Sequence, residues 1–285
     1  MPSKRPPRRR QNGAAASSGP ATRPAKSHPL SAAIGWHAFC MRQGARAAAM
    51  VTSAAAGYQA LISETTMQKL TLASLLLAAV PALAVDLGAN AGLSSEYIFR
   101  GIPQSDGKAA AFGGIDLGAA GFYAGTWAST VDSGSGRNDG LEIDYYGGYG
   151  GEAGDFRYGI GGTWYSYTDQ FDDDYKELNL SGGWRFLTLN VAIGEYDNFG
   201  GPTLNYQFYD ITAEYRGWHA TIGIFADDFD GNYYEAGYGD TLTVNDVELF
   251  DYSFVVIYSD DKLLGGDDDI NIVAQITKNF SLFSN

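Results

Sequence analysis

From residue 87 onward the chain alternates apolar with polar or very small residues, in segments of about ten. Over 141–150 one parity reads Leu141, Ile143, Tyr145, Gly147, Tyr149, and the other Glu142, Asp144, Tyr146, Gly148, Gly150. Over 218–226 the parities are Trp218, Ala220, Ile222, Ile224, Ala226 and His219, Thr221, Gly223, Phe225. The windows 87–100 and 156–165 behave alike. Period 2 predicts strands near 87–100, 109–119, 121–131, 140–150, 155–167, 174–184, 186–197, 203–216, 217–227, 232–239, 246–259 and 268–280. The breaks between them also alternate. Ala120, Gly151–Gly154, Arg185 and Arg216-Gly217 make tight turns. Gly101–Lys108, Asp132–Asp139, Thr168–Asp173, Asn198–Pro202, Asp228–Gly231 and Asp260–Asp267 make longer polar loops. Tight turns at one end and long loops at the other are the mark of an antiparallel transmembrane β-barrel, here of twelve strands.

A soluble β-sandwich also alternates, because one face of each sheet is buried. Two features favour the barrel. The segments exceed the usual five or six residues of a soluble strand. Aromatics also gather at segment ends (Tyr97, Phe99, Trp164, Trp184, Trp218, Tyr258, Phe280), as interface girdles require. The least regular stretch is Tyr233–Gly239, followed by Gly239–Val247, which is long for a tight turn.

Composition divides the chain. Residues 1–66 hold nine Lys and Arg against one acid, Glu64, with no hydrophobic periodicity. Met67-Gln68-Lys69, an apolar run through Val80, and Pro81-Ala82-Leu83-Ala84 then have the order of a secretory signal peptide, cleaved near Ala84. The run falls short of the ~20 apolar residues that span a bilayer as a helix. Since a signal peptide opens a chain, Met67 is the expected start and 1–66 an extension from a misplaced start codon. The rival reading is a functional extended leader, and an Arg-rich, acid-poor start also imitates an organellar transit peptide. The barrel is expected over 85–285. That part holds nine bases and 32 acids, 32 of the 37 Gly, and no Cys, since Cys40 is the only one. Such a composition excludes a disulfide scaffold, a Cys-ligated zinc site and nucleic-acid binding by the barrel.

Ser94-Ser95-Glu96-Tyr97-Ile98-Phe99-Arg100-Gly101-Ile102-Pro103-Gln104-Ser105-Asp106-Gly107 resembles the opening of the TorF-family porins of Proteobacteria. Gly121–Ser129 and Leu141–Tyr149 resemble the same family, in order, and the likeness runs from about 88 to Phe280. Glu96, Pro103 and Lys108 depart from its pattern, where Asp, Ser and Pro are usual, and Ser281–Asn285 follows the expected terminal Phe. The resemblance implies an outer-membrane barrel and a pore. It implies no catalytic residues and no defined substrate.

Enzymatic readings are poorly supported. His219 is the only histidine of 85–285 and could serve a hydrolase as base. No Gly-x-Ser-x-Gly elbow accompanies it, and its parity turns it into the lumen. Glu142 with Asp144 has the form of a paired-carboxylate site, yet acids on a pore wall are commoner. The paired glycines lack a P-loop Lys and read as room for curvature or a wide lumen. No catalytic residue and no cofactor are therefore expected.

Parity assigns Glu96, Arg100, Asp116, Glu142, Asp144, Arg157, Glu177, Asp210, Glu214, Glu235 and Asp251 to the lumen. Acids outnumber bases there, which favours cations. The expected function is passive diffusion of small hydrophilic solutes with cation preference; the alternative is a non-conducting structural or binding barrel. Asp172, Asp173, Asp174, Asp228, Asp230, Asp267, Asp268 and Asp269 are weak divalent-cation candidates in the long loops. Expected partners are outer-membrane lipid and lipopolysaccharide, small solutes or cations, and the barrel-assembly machinery, which in similar proteins reads an aromatic-ended last strand such as Ile270–Phe280.

Overall fold

A computed structural model describes residues 84–134 and 139–284. The extension 1–66, nearly all of the signal peptide and Arg137 lie outside the described residues. The strands are β1 Val85–Ser94, β2 Ile98–Phe99, β3 Ile102–Pro103, β4 Ala110–Ala119, β5 Phe122–Val131, β6 Gly140–Ala153 and β7 Phe156–Tyr167. They continue as β8 Tyr175–Trp184, β9 Leu187–Tyr196, β10 Leu204–Tyr215, β11 Trp218–Asp227, β12 Gly231–Val244, β13 Val247–Ser259 and β14 Asp269–Ser284. All but β2 and β3 form one closed antiparallel barrel of twelve strands, each paired with its neighbours in sequence. Closure is by β1 on β14, from Asp86 opposite Ser284 to Ser94 opposite Gln275.

The turns follow local chemistry. Ala120-Gly121, Arg216-Gly217 and Asn245-Asp246 have positive φ at both central positions, the type I′ geometry whose twist matches that of a hairpin. The last pair settles the irregular stretch. β12 runs on to Val244 and meets β13 through that turn, so the expected break after Gly239 does not occur.

The barrel is apolar outside. Ile115, Leu180, Leu189, Ile211, Ile222, Val256 and Ile272 are all exposed, on the expected parity. Rings cluster at the tight-turn end, with Phe122 4.9 Å from Tyr149 and Trp218 5.1 Å from Tyr238 between centroids. Trp164 with Tyr145 and Tyr234 with Tyr258 make a second girdle toward the loop end. This is the surface of a barrel dressed for lipid. Ile222→Arg, mid-strand on that surface, should cost about 2–4 kcal/mol of unfolding free energy in lipid vesicles. Asn279→Arg, on the inward face beside Asp251, should cost far less. Equal losses would mean the faces are misassigned. Thr221 is unsuitable as the inward control, because it is 2% exposed and bonded to Thr212 at 2.8 Å.

Inside, glycine has a use that the sequence did not disclose. Directly opposite an inward ring on the next strand there is repeatedly a glycine: Gly92 faces Phe112, Gly148 faces Tyr123, Gly194 faces Tyr206 and Gly223 faces Tyr233. A Cβ on Gly223 would stand 2.0 Å from the Tyr233 ring, and one on Gly194 2.2 Å from that of Tyr206. The rings thus lie flat on the neighbouring backbone instead of projecting across the lumen. These glycines seat aromatic rings and do not widen the bore. Gly223→Val should force Tyr233 out of its seat and cost about 1–3 kcal/mol, as overpacking does, measured by urea unfolding of the reconstituted barrel. An unchanged unfolding midpoint would show the seat to be slack.

Candidate functional site

β1 ends at Ser94, where the sequence predicts a strand through residue 100. The chain then folds into the barrel from the loop end. Glu96 and Arg100 are therefore carried on an inserted segment and are not wall residues, and Tyr97 and Phe99 belong to the interior and not to a lipid-facing girdle. Residues 95–109 include a small hairpin, Ile98–Phe99 paired with Ile102–Pro103, whose tip is Arg100-Gly101. Both tip residues have positive φ, 50° and 81°, again the I′ form. A Cβ at Gly101 would approach Tyr233, Leu263 and Ser259 within 2.6–2.9 Å, so the tip fits only with glycine there.

The hairpin is held by backbone and side chain alike. Gln104 N donates to Tyr97 O at 2.8 Å, Tyr97 N to Ser105 Oγ at 2.9 Å and Ser259 Oγ to Gly101 O at 2.6 Å. Ile98 and Ile102 pack against a buried cluster that includes Tyr206, Phe208, Phe225, Tyr233, Val255 and Ile257. Leu263, from the short helix α1 (Asp261–Leu264), joins the same cluster. At the base of the segment Lys108 pairs with Asp132, and that bond holds the Asp132 carboxyl below its ordinary pKa.

Arg100 is the centre of the arrangement. Its two Nη atoms donate to Glu177 at 2.5 and 3.1 Å, and its guanidinium lies 4.2 Å from the Phe208 ring centroid. Glu177 also accepts from Tyr206 Oη (2.8 Å), Asn179 Nδ2 (2.8 Å) and Tyr165 Oη (3.1 Å). Glu142, wholly buried, accepts from Tyr97 Oη at 2.6 Å. Asp144 is 9% exposed, and its Oδ1 has no hydrogen-bond partner. A cavity of about 150 Å³ lies against the hairpin, lined by Asp144, Trp127, Tyr165, Phe208 and Ser253 among others.

The remaining lumenal residues are spread along the bore. Asp116 accepts from Tyr146 Oη, Asp210 from Asn190 Nδ2 at 2.9 Å, and Asp251 from Thr241 and Asn279. Arg157 donates to Thr188 Oγ1 and Arg185 O, and Glu214 sits opposite His219 in the β10–β11 register. His219 Nε2 lies 3.0 Å from Glu235. The loop aspartates are engaged locally. Asp172 accepts from Tyr175 and Tyr196, Asp173 from Phe199 N, Asp174 from Trp164 Nε1 and Asp228 from Asn205 N. Asp230 pairs with Lys262 at 3.1 Å, Asp269 caps Ile270 N, and Asp267 and Asp268 are exposed. Among the described residues no three His, Cys, Asp or Glu side chains come close enough together to hold a metal ion.

Sequence reasoning missed Tyr165 and Tyr206 as hydrogen-bond partners of Glu177, Trp127 beside Asp144, and Phe208 as the ring against Arg100. The usable signal was Arg100-Gly101, the same dipeptide type that turns the chain at Arg216-Gly217.

Fold and lumen together define a closed, outwardly apolar antiparallel barrel with an inserted loop hairpin. The chain belongs to a family described as a bacterial protein of unknown function (Gcw_chp), whose model matches residues 78–250. No curated protein matches the chain. Among solved structures it is weakly similar to one from a study of the in-meso crystallization of membrane proteins (7% identity, 70% of this chain and 84% of that one, TM-score 0.41). A bacterial polysaccharide outer membrane secretin gives 12% identity, 70% and 98% coverage, and TM-score 0.31. The outer membrane protease OmpT from Escherichia coli gives 10% identity, 68% and 91% coverage, and TM-score 0.21.

Proposed function

We propose that the chain spans the bacterial outer membrane and passes small cationic solutes through a lumen constricted by its first long loop. One observation carries the reading. The inserted hairpin brings a single base, Arg100, to a wall bearing Glu142, Asp144 and Glu177, so the part of the lumen that the hairpin enters keeps an excess of acid. The resemblance to TorF-family porins points the same way, as do the apolar exterior and the aromatic-ended β14, which fits assembly into a lipid and lipopolysaccharide bilayer. The non-conducting alternative draws on the same hairpin, because it fills the loop end of the lumen. The wild type should accordingly pass little current, and what it passes should be cationic.

The test is reversal potential in a salt gradient across planar bilayers. Cation preference should be strongest at low salt and fade as the Debye length falls from ~10 Å at 0.1 M to ~3 Å at 1 M. Glu142→Gln with Asp144→Asn should weaken it. Anion selectivity in the wild type, or a cation preference that survives both substitutions unchanged, would overturn the assignment.

A further inference from the structure

We propose that the cavity beside the hairpin is a binding site for a small alkylammonium ion, with Asp144 as its counter-ion. This deepens the reading of the lumen as a cation passage by naming the solute class, and rests on it.

Asp144 projects into the cavity from β6, and its neighbours across the two adjacent strands are Trp127 on β5 and Tyr165 on β7. Its Oδ1 is buried without a donor, as is the Oγ of Ser253, which lines the same cavity from β13. A buried carboxylate oxygen left without a partner is costly, and among the described residues no side chain donates to it. Arg100 is committed to Glu177 through both Nη atoms. Glu96, Asp144, Asp210 and Glu235 line the cavity together with one base, Arg100, so acids outnumber bases on its wall. A ligand that satisfies Asp144 Oδ1 must donate a hydrogen bond, as an ammonium N–H does. The wall is mixed, with aliphatic and polar side chains such as Val255, Asn179 and Asn190 beside the rings of Trp127, Tyr165 and Phe208, and such ring faces attract a cation and pack an alkyl body. A cavity of about 150 Å³ is of the size that admits a benzene-sized molecule. An amine with a short hydrocarbon tail satisfies charge, donor, wall and volume together; an inorganic cation leaves the apolar body of the rings without a role.

The experiment is isothermal titration calorimetry of the full chain, refolded in detergent, with n-butylammonium, n-butanol and butyrate. These probes share a four-carbon tail and differ in head group. Saturable heat is expected with butylammonium alone. Asp144→Asn should lower its affinity at least tenfold while the protein keeps its heat-modifiable migration on gels, and Trp127→Leu should lower it less. If Asp144→Asn does not fold, the comparison of the three probes on the wild type still decides. Equal binding of butylammonium and butanol, or no saturable binding of butylammonium, would overturn the site. The readout is separate from conductance: a barrel that conducts cations but binds no amine refutes this inference and leaves the channel reading standing, while a silent barrel that binds butylammonium does the reverse.

Discussion

Excision of Glu96–Gly107, joining Ser95 to Lys108, should turn a nearly silent barrel into an open conductor. Ser94 and Ala110 are direct partners in the β1–β4 register, so Ser95, Lys108 and Ala109 suffice to close a short hairpin of the kind antiparallel strands accept. The strand-to-strand ladder of the barrel is kept, while the bonds that Glu142, Glu177 and Ser259 make to the segment go with it. What leaves is Tyr97, Ile98, Phe99, Arg100 and Ile102, the side chains that fill the loop end. Single-channel conductance should rise severalfold, and cation preference should increase, since Arg100 goes and Glu142, Asp144 and Glu177 stay. A deletion variant that folds yet carries no more current than the wild type would mean that the lumen is blocked elsewhere.

The second large effect is expected at Glu177. Its side chain is fully buried and that of Arg100 is 13% exposed, so Glu177→Ala strands a guanidinium in a space built for a pair. Breaking a buried pair by removing one partner costs about 3–5 kcal/mol, whereas replacing both by apolar groups of similar size is often neutral. Unfolding in vesicles should show that loss for Glu177→Ala and recover most of it in Arg100→Met/Glu177→Leu. The single variant should also free the hairpin tip, so that trypsin cuts after Arg100 in the folded protein. Resistance to trypsin equal to that of the wild type would show that Ser259 and the apolar cluster hold the hairpin without the ion pair.

The barrel was legible in the sequence because lipid and lumen impose opposite demands on successive residues. Ile222 and Thr221 differ in exposure, 44% against 2%, as their parity predicts, and every strand between β4 and β11 lies within a few residues of its expected span. The inserted hairpin was not legible, for a physical reason. Its apolar side chains face other apolar side chains within the lumen, so Leu93, Tyr97 and Phe99 continue an alternation indistinguishable from that of a lipid-facing strand. Only the left-handed backbone at Arg100-Gly101 breaks the pattern, and alternation does not report φ. The far part of β12 was hidden differently. Gly237 and Gly239 occupy inward positions, so the polar half of the pattern thins out before Thr241 and Thr243 restore it. In the site, Glu142, Asp144 and Glu177 followed from parity, but their partners did not, because Tyr97 and Arg100 arrive on the inserted hairpin and Tyr206 reaches Glu177 from two strands away.

The glycine seats bear on how a nascent barrel avoids wrong closures. Sliding one strand by a single residue exchanges its two faces and is punished at once by lipid. Sliding by two restores the faces, and hydropathy alone would accept it. At that offset Tyr233 would leave Gly223 and meet Thr221 or Phe225, and no flat seat would receive its ring. Phe112 on Gly92, Tyr123 on Gly148 and Tyr206 on Gly194 impose the same condition at three further seams. Ring and glycine thus act as key and ward, proofreading the even-numbered errors to which alternation is blind.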